Sequence, residues 1–379
     1  MRIFGVVCEC NPLHTGHIWL LSQARARGAE AVVCAMSGNF VQRGEPALLP
    51  WWVRARALLE NGADLVVQIP TAHCLSSAQF YAQGGVSLLA ALGVDTLFFG
   101  SESGDRAGLE ATADLVESKA FVQLAKALQR GNLGYPAARA EACRRLGGEA
   151  ALLSSPNDTL ALEYLLAIRR AGAGMDILPI RRIGAGHHDG RLGGQTASAS
   201  ALRALLRAGK GEEAAPYLPK GLPGPHPLAD SRWLGRAAVL AVQLAPLERL
   251  AALPFCDEGL ARRLQACADG AADLEELAAR CASRQHTRAR VRRAVWCLLL
   301  DIRREEVLTP PDCLRILGAT ETGLALLRGP QRLPVCHSLA RAEGTSFGRV
   351  EARADTVYAN CFEKPLPQGE SYRQKFTKI

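Results

Sequence analysis

No two of the twelve cysteines in this chain of 379 residues form a CxxC pair, and they are scattered from Cys8 to Cys361. With nothing indicating secretion, that scatter argues against a disulfide scaffold and for free thiols. Cys8 and Cys10, on an apparent buried strand, read as small apolar core residues rather than redox or metal groups. Long apolar runs are missing too. AVWCLLLDI and VSLLAALGV fall well short of the roughly 18 to 20 residues that a membrane-spanning helix requires. The start, MRIFGVVCEC, lacks the charged stretch, apolar region and small-residue cleavage site of a signal peptide, so a cytoplasmic location without membrane attachment is expected. There is no internal repeat and no low-complexity tract. Acid is outnumbered by base, 37 against 45, for a formal net charge of +8 and a pI near 9.0. That balance favours polyanionic partners without identifying one.

What is present is an ordinary folded composition, 48% hydrophobic and 22% charged, long enough for two domains. In residues 1–215 the β-branched runs IFGVVCE, AVVCAMSG, DLVVQIP, TLFFGSE and ILPIRRI alternate with helical stretches. These include IWLLSQARA, WWVRARALLENG, VSLLAALGV and the spans from Asp105 to Arg130 and from Asn157 to Ala171. The alternation predicts an α/β, Rossmann-like domain of parallel strands joined by crossover helices. Around GNLGYPAARAEACRRLGGEA the pattern weakens into Gly, Ala and Arg; a surface loop is expected there, with a lid over the sheet as the alternative. Pro216, Pro219, Pro223, Pro225 and Pro227 exclude helix and sheet interiors alike and place a linker at 216–228. Residues 229–379 then read as a mainly α-helical domain.

Between the first strand and the first helix stands NPLHTGH. Such a junction is an anion site, because the unpaired N–H groups and the dipole of a helix N-terminus both favour a phosphate. Gly16, with no Cβ, lets a nucleotide approach the backbone closely. His14 and His17 bracket the helix start and can face the same spot, where imidazole donors would meet charge developing on phosphate oxygens. Histidines that merely pack at a helix start are the plain alternative. Later, TASASALRALL supplies Ser198, Ser200 and Arg203. Their hydroxyls and the first-turn N–H groups suit a polyphosphate that the arginine neutralises, or the serines are ordinary N-caps.

HTGH is the HxGH pattern of the nucleotidyltransferase superfamily. With VCECNPLHTGH, MSGNFVQRGEPA, LFFGSE, SPNDTLALEY, IRRIGAGHHD and SASALR in this order, the chain resembles the tRNA(Met) cytidine acetate ligase family over its whole catalytic half. The resemblance implies that acetate and ATP give acetyl-adenylate and pyrophosphate. The exocyclic amine of the wobble cytidine of elongator tRNA(Met) would then attack the acetyl carbonyl and release AMP. Magnesium would accompany ATP, and acetyl-coenzyme A would not be needed. The resemblance carries the ATP site onto Val7, Asn11, His14, Gly16, His17, Leu20, Gly100, Asn157, Arg181, Arg182, Ser198 and Ser200, and makes His14, His17 and Arg203 the catalytic set.

Asn157 serves equally as a helix cap, and an arginine of RRI as solvation for a strand end. Arg43 either positions acetate or phosphate or pairs with Glu45. His187, His188 and Asp189 do not make a zinc cluster, since consecutive histidines on an extended chain point to opposite faces; a nucleotide-edge or tRNA-facing role stays open. No protein-held metal and no stable protein partner are implied. Cys10 and Leu13 stand where the family carries aromatic residues, which bears on adenine affinity rather than on chemistry.

Eight arginines, at 280, 284, 288, 290, 292, 293, 303 and 304, surround Asp301 as the only acid inside the run. On a helix, Val291, Val295, Leu298, Leu299 and Ile302 form one apolar face, and Arg290, Arg293 and Arg304 project from the other. Arg288, Arg290, Arg292, Arg293 and Arg304 are therefore expected to meet tRNA phosphates, a solvated face being the alternative. The tail adds Lys364, Arg373, Lys375 and Lys378. Two other functions fit parts of the pattern. A small-coenzyme adenylyltransferase would use the same HTGH site but leaves the basic C-terminal half without a purpose. A non-catalytic nucleotide-dependent RNA-binding protein would not need the intact motif. Neither the oligomeric state nor the base for the amine attack is legible.

Overall fold

The computed structural model describes residues 1–379 apart from 132, 183–196, 225, 330 and 343. In chain order the strands are β1 (Ile3–Cys8), β2 (Ala31–Ser37), β3 (Phe40–Val41), β4 (Glu45–Pro46), β5 (Leu65–Ile69), β6 (Thr96–Ser101), β7 (Asp176–Arg181), β8 (Leu314–Ala319), β9 (Val335–Cys336) and β10 (Thr377–Lys378). β1 is central, with β2 and β5 on one side and β6 and β7 on the other, all parallel. β2 and β5 are buried at every residue, which explains why AVVCAMS and LVVQI show no polar alternation. Pro179 is tolerated because β7 is an edge strand. Helices Thr15–Ala26 and Trp51–Glu60 cover one face of the sheet, and Ala78–Ala91 and Pro156–Ala171 the other. The chain leaves β1 toward β2 on one side and returns to β6 on the other, so a crevice opens at the carboxyl ends of β1 and β6, where open α/β sheets bind ligands.

Two segments depart from the sequence reading. The stretch expected as a loop is a helix, Tyr135–Arg145. Pro136 falls in its first turn, where a missing N–H is harmless. Ala138, Ala142 and Cys143 form a small buried stripe, and Arg139 pairs with Glu163 at 2.7 Å. The second departure lies in the C-terminal part. Helices from Gly235 to Leu308 do gather around Trp296, in a core that also takes Phe40, Ala72 and Leu75 from the N-terminal part. The chain then returns to the sheet: β8 runs antiparallel beside β5 and pairs with β9 and β10. The mainly helical reading of 229–379 missed this because LRILGA is short and its partner strand lies far back in the chain. A buried polar chain ties the return in place. Arg315 donates to Gln68 Oε1 at 2.6 Å, Gln68 donates to Glu351 at 2.6 Å, and Glu351 accepts from the Thr71 N–H at 2.6 Å.

The proline-rich stretch is packed rather than free, with Leu218 and Leu228 against Leu48, Leu202 and Leu206. Among the described residues no helix is long and apolar enough to cross a membrane.

Candidate active site

His14 is the N-cap of the first helix, extended at φ −144°, and its Nδ1 accepts from the Gly16 N–H at 3.1 Å. His17 completes a capping box: its Nδ1 accepts from the His14 N–H at 3.3 Å. The ring centroids lie 4.0 Å apart, the planes tilted by 43°. Burial, then the nearby Arg182 and Arg203, pushes the His14 imidazole down to about 4, and burial with His14 and Arg182 pushes His17 well below the usual imidazole range. Both rings are therefore neutral, and because each Nδ1 is taken by a backbone donor, each proton sits on Nε2. Two neutral N–H donors are thus fixed at a helix N-terminus. Gly16 has a local reason beside the one read from sequence: a Cβ there would lie 2.9 Å from His14 Cε1, so only glycine lets the ring fold back over the turn.

Asn11 is 3% exposed; its Oδ1 accepts from the Leu48 N–H at 2.7 Å and its carbonyl accepts from Arg203 at 2.8 Å. Its Nδ2 has no partner among the described residues, a buried donor that a bound ligand would satisfy. Arg203, 6% exposed, also faces Glu45 at 3.5 Å. The helix Ala199–Arg207 is thereby locked to the turn before the first helix, and the sequence-named catalytic set does come together. Ser198 caps that helix through the Ala201 N–H at 3.2 Å and lies 3.0 Å from the Ser200 hydroxyl.

On the β6 side, a Cβ on Gly100 would lie 2.9 Å from Arg182 Cγ, which places the Arg182 stem over the strand end. Arg181 is exposed. The Asn157 amide donates to Glu102 at 2.7 Å, and Glu102 also accepts from the Asp158 N–H at 2.9 Å. Glu102, not Asn157, is therefore the cap of the helix Pro156–Ala171. Val7 abuts Gly85, and Leu20 joins the cluster that also holds Cys10 and Leu13. Those two are 1% and 0% exposed, so the positions that depart from the family's aromatics face the core. His187, His188 and Asp189 lie outside the described residues, and Arg43 approaches Glu9.

Sequence reasoning missed Glu9 and Arg54, and named Glu45 only as a partner for Arg43, not for Arg203 and Arg292. Arg54 is fully buried and donates to the carbonyls of Leu49 at 2.9 Å, Glu9 at 2.8 Å and Ser37 at 2.9 Å, and also to Gly38. It staples the carboxyl ends of β1 and β2 together. An arginine on the apolar face of WWVRARALLE was the available signal.

The arginine helix Arg288–Leu300 corrects an expectation. Arg290 donates to the Phe255 carbonyl at 2.7 Å and Arg304 to those of Ala251 at 2.9 Å and Cys256 at 2.8 Å; together they hold a loop in which Phe255 adopts φ 57°. Arg292 bridges Glu275 and Glu45, the latter at 3.4 Å. Arg293 donates to the Gln42 carbonyl at 3.0 Å, and burial pushes its guanidinium down to about 10. Trp296 donates to the Gly44 carbonyl at 2.9 Å; Gly44 sits at φ +74°, and a Cβ there would meet Arg292 Cβ at 2.8 Å. Arg290, Arg292 and Arg293 are thus spent on the protein itself. Arg288 and Arg304 are the exposed members of the set, Arg304 while holding the Phe255 loop.

Among the described residues no group of three or more His, Cys, Asp or Glu side chains is placed to hold a metal ion. The model of the HIGH Nucleotidyl Transferase family matches residues 1–373. The tRNA(Met) cytidine acetate ligase of Syntrophotalea carbinolica is 38% identical over 362 residues, covering 90% of this chain and 86% of that protein. The ligase of the same name from Acetivibrio thermocellus is 32% identical over 352 residues, 86% of this chain and 85% of that one. Crystal structures of Thermotoga maritima TmcAL superpose over 100% of both chains at 26% identity, with a TM-score of 0.92 for the apo form and 0.89 for the form bound with alpha-thio ATP.

Proposed function

Since the chain belongs to the HIGH nucleotidyl transferase family and, within it, to the tRNA(Met) cytidine acetate ligases, we propose that it activates acetate with ATP and passes the acetyl group to the exocyclic amine of the wobble cytidine of elongator tRNA(Met). The observation that carries this reading is the pair of imidazoles, each Nδ1 taken by a backbone N–H so that Nε2 is left to donate, together with an Asn11 amide that has no partner among the described residues, at the carboxyl end of β1. Polyphosphate would lie over the N-terminus of the first helix, with His14 and His17 donating to the α-phosphate and Arg203 and Arg182 supplying positive charge. Acetate oxygen attacks the α-phosphorus in line and pyrophosphate leaves, a step that needs positioning and charge neutralisation rather than a base. Asn11 Nδ2, Gly100, Asn157 and the Ser198–Ser200 pair complete the nucleotide site. Magnesium enters with ATP and, when bound, neutralises phosphate charge. Acetyl-coenzyme A has no part. The cytoplasm is where ATP and tRNA meet, and the reading places the protein there.

For the RNA, Arg288 and the neighbouring Arg284, both exposed, are proposed to contact phosphate. The test is incubation of the purified chain with labelled acetate, ATP, magnesium and unmodified tRNA, followed by nucleoside analysis. Label in acetylcytidine with AMP released and no acetyl-coenzyme A present is expected. Label that stays as acetyl-adenylate, or none at all, would refute the transfer or the ligase reading respectively.

A further inference from the structure

The acyl-transfer step leaves a chemical role unfilled, because a neutral amine that attacks a carbonyl must lose a proton. The histidines cannot take it, since each Nδ1 accepts a backbone N–H and each Nε2 already carries hydrogen. Among the carboxylates at the sheet edge, Glu102 is spent capping a helix, Asp158 accepts from the Ser103 N–H at 3.1 Å and its hydroxyl at 2.8 Å, and Glu45 lies between Arg203 and Arg292. Glu9 differs. It stands where β1 ends and the histidine turn begins; its Oε1 accepts from the Gln42 N–H at 2.7 Å, and its Oε2 makes no hydrogen bond among the described residues. It is only half-buried, so that oxygen can be reached.

We propose that Glu9 is the base of the acyl transfer. The inference rests on the ligase reading above. As the cytidine nitrogen forms its bond to the acetyl carbon, Glu9 Oε2 takes the proton from that nitrogen; the bond from carbonyl carbon to phosphate oxygen breaks, and AMP leaves with the electron pair. The proton then passes from Glu9 to solvent. The groups facing Glu9 suit the role. Arg43 and Glu45 approach from the β3–β4 hairpin and Arg203 from the helix Ala199–Arg207, while Tyr81 on the helix Ala78–Ala91, Tyr164 on the helix Pro156–Ala171 and Cys74 also lie close enough to act on it. Burial raises the Glu9 carboxyl above the ordinary carboxylate range, and the Gln42 N–H, Arg43 and Arg203 oppose that rise. A carboxylate whose affinity for a proton is raised in this way accepts one more readily than a free glutamate does.

The test separates the two halves of the reaction in the full chain. Acetate-dependent ATP–pyrophosphate exchange reads adenylation, and single-turnover transfer of labelled acetyl to unmodified tRNA reads the second step. Glu9→Gln keeps an amide oxygen to accept from Gln42, so the hairpin stays anchored. Expected is a fall of about 100-fold or more in the ratio of transfer to exchange, with loss of the acidic limb of the transfer pH profile. Glu9→Asp should recover part of the transfer and shift that limb, and it carries the test if Glu9→Gln does not fold. A ratio that stays constant in both variants, or an acidic limb that survives in Glu9→Gln, overturns the proposal. Absence of acetate-dependent exchange in the unmodified protein would instead remove the ligase reading on which it stands.

Discussion

The turn before the first helix and the arginine helix Arg288–Leu300 are both crowded with nitrogen-bearing side chains, and they use them in opposite ways. In the turn, the protein occupies one nitrogen of each imidazole with its own backbone and leaves the other as a donor. In the arginine helix, the guanidinium groups of Arg290, Arg292 and Arg293 are consumed on carbonyls and carboxylates of the protein itself, Arg290 on the Phe255 loop and Arg292 and Arg293 on the hairpin 40–46, which Trp296 also holds. That same hairpin faces the nucleotide turn through Glu9–Gln42 and Arg203–Glu45. The basic run thus builds the wall of the active site. Polar density is a poor guide to function until each donor has been assigned an acceptor.

The largest expected effect tests the donor side of this contrast. His14→Ala and His17→Ala should each lower acetate-dependent pyrophosphate exchange by about 100-fold or more, the scale seen when one preorganised donor to a developing charge is removed. Loss of the cap should cost about 1 kcal/mol of stability, so thermal melts stay cooperative. Near-normal exchange in both variants would erase the distinction between the turn and the arginine helix.

Next comes the staple that aligns the strand ends. Arg54→Met leaves the carbonyls of Leu49, Glu9, Ser37 and Gly38 without their donor in a buried setting, and a loss of at least about 3 kcal/mol in urea unfolding is expected. A loss below about 1 kcal/mol would mean that water replaces the guanidinium and that the strand ends are not closed.

A smaller effect follows from the neutral rings. His14 is held at about 4 against an ordinary 6.5, so between those values the unfolded chain binds more protons than the folded one. Stability therefore falls as the pH drops through that window. His73, also pushed down to about 4 by burial, adds a parallel background. His14→Asn keeps a good N-cap and removes one titration. From pH 7 to pH 5 the unmodified protein should lose about 2 kcal/mol more than the variant, read from urea midpoints at each pH. Equal losses would show that His14 is not held neutral by burial.

These regions also differ in how far the sequence announced them. The histidine turn was legible because its hydrogen bonds close within three residues, and the five parallel strands were legible because burial on both faces leaves an unbroken apolar run. Arg54 was not, nor was the pairing of Glu45 with Arg203 and Arg292, since these partners are set by tertiary packing. The arginine helix misled for the same reason: Arg290 reaches a carbonyl 35 residues away and Arg293 one 251 residues away, and no local periodicity carries that information. Helix Tyr135–Arg145 was missed because its buried face is made of alanines and a cysteine, too small to register as an apolar stripe beside its arginines. The return of β8 was missed because a single short run gives no period to distinguish strand from helix.

The finest effect separates arginines within one helix. Arg293→Met should lower stability by about 1–3 kcal/mol, because it leaves the Gln42 carbonyl unpaired in a buried place, while the salt dependence of tRNA binding keeps its slope. Arg288→Ala should leave the urea midpoint in place and lower that slope by about one, as expected for the loss of one phosphate contact. The reverse pattern, with the slope changed by Arg293→Met and unmoved by Arg288→Ala, would mean that binding RNA releases Arg293 from the hairpin. The arginine helix would then be a latch that the tRNA opens at the wall of the nucleotide site, since the Gln42 whose carbonyl Arg293 holds is the residue whose N–H anchors Glu9.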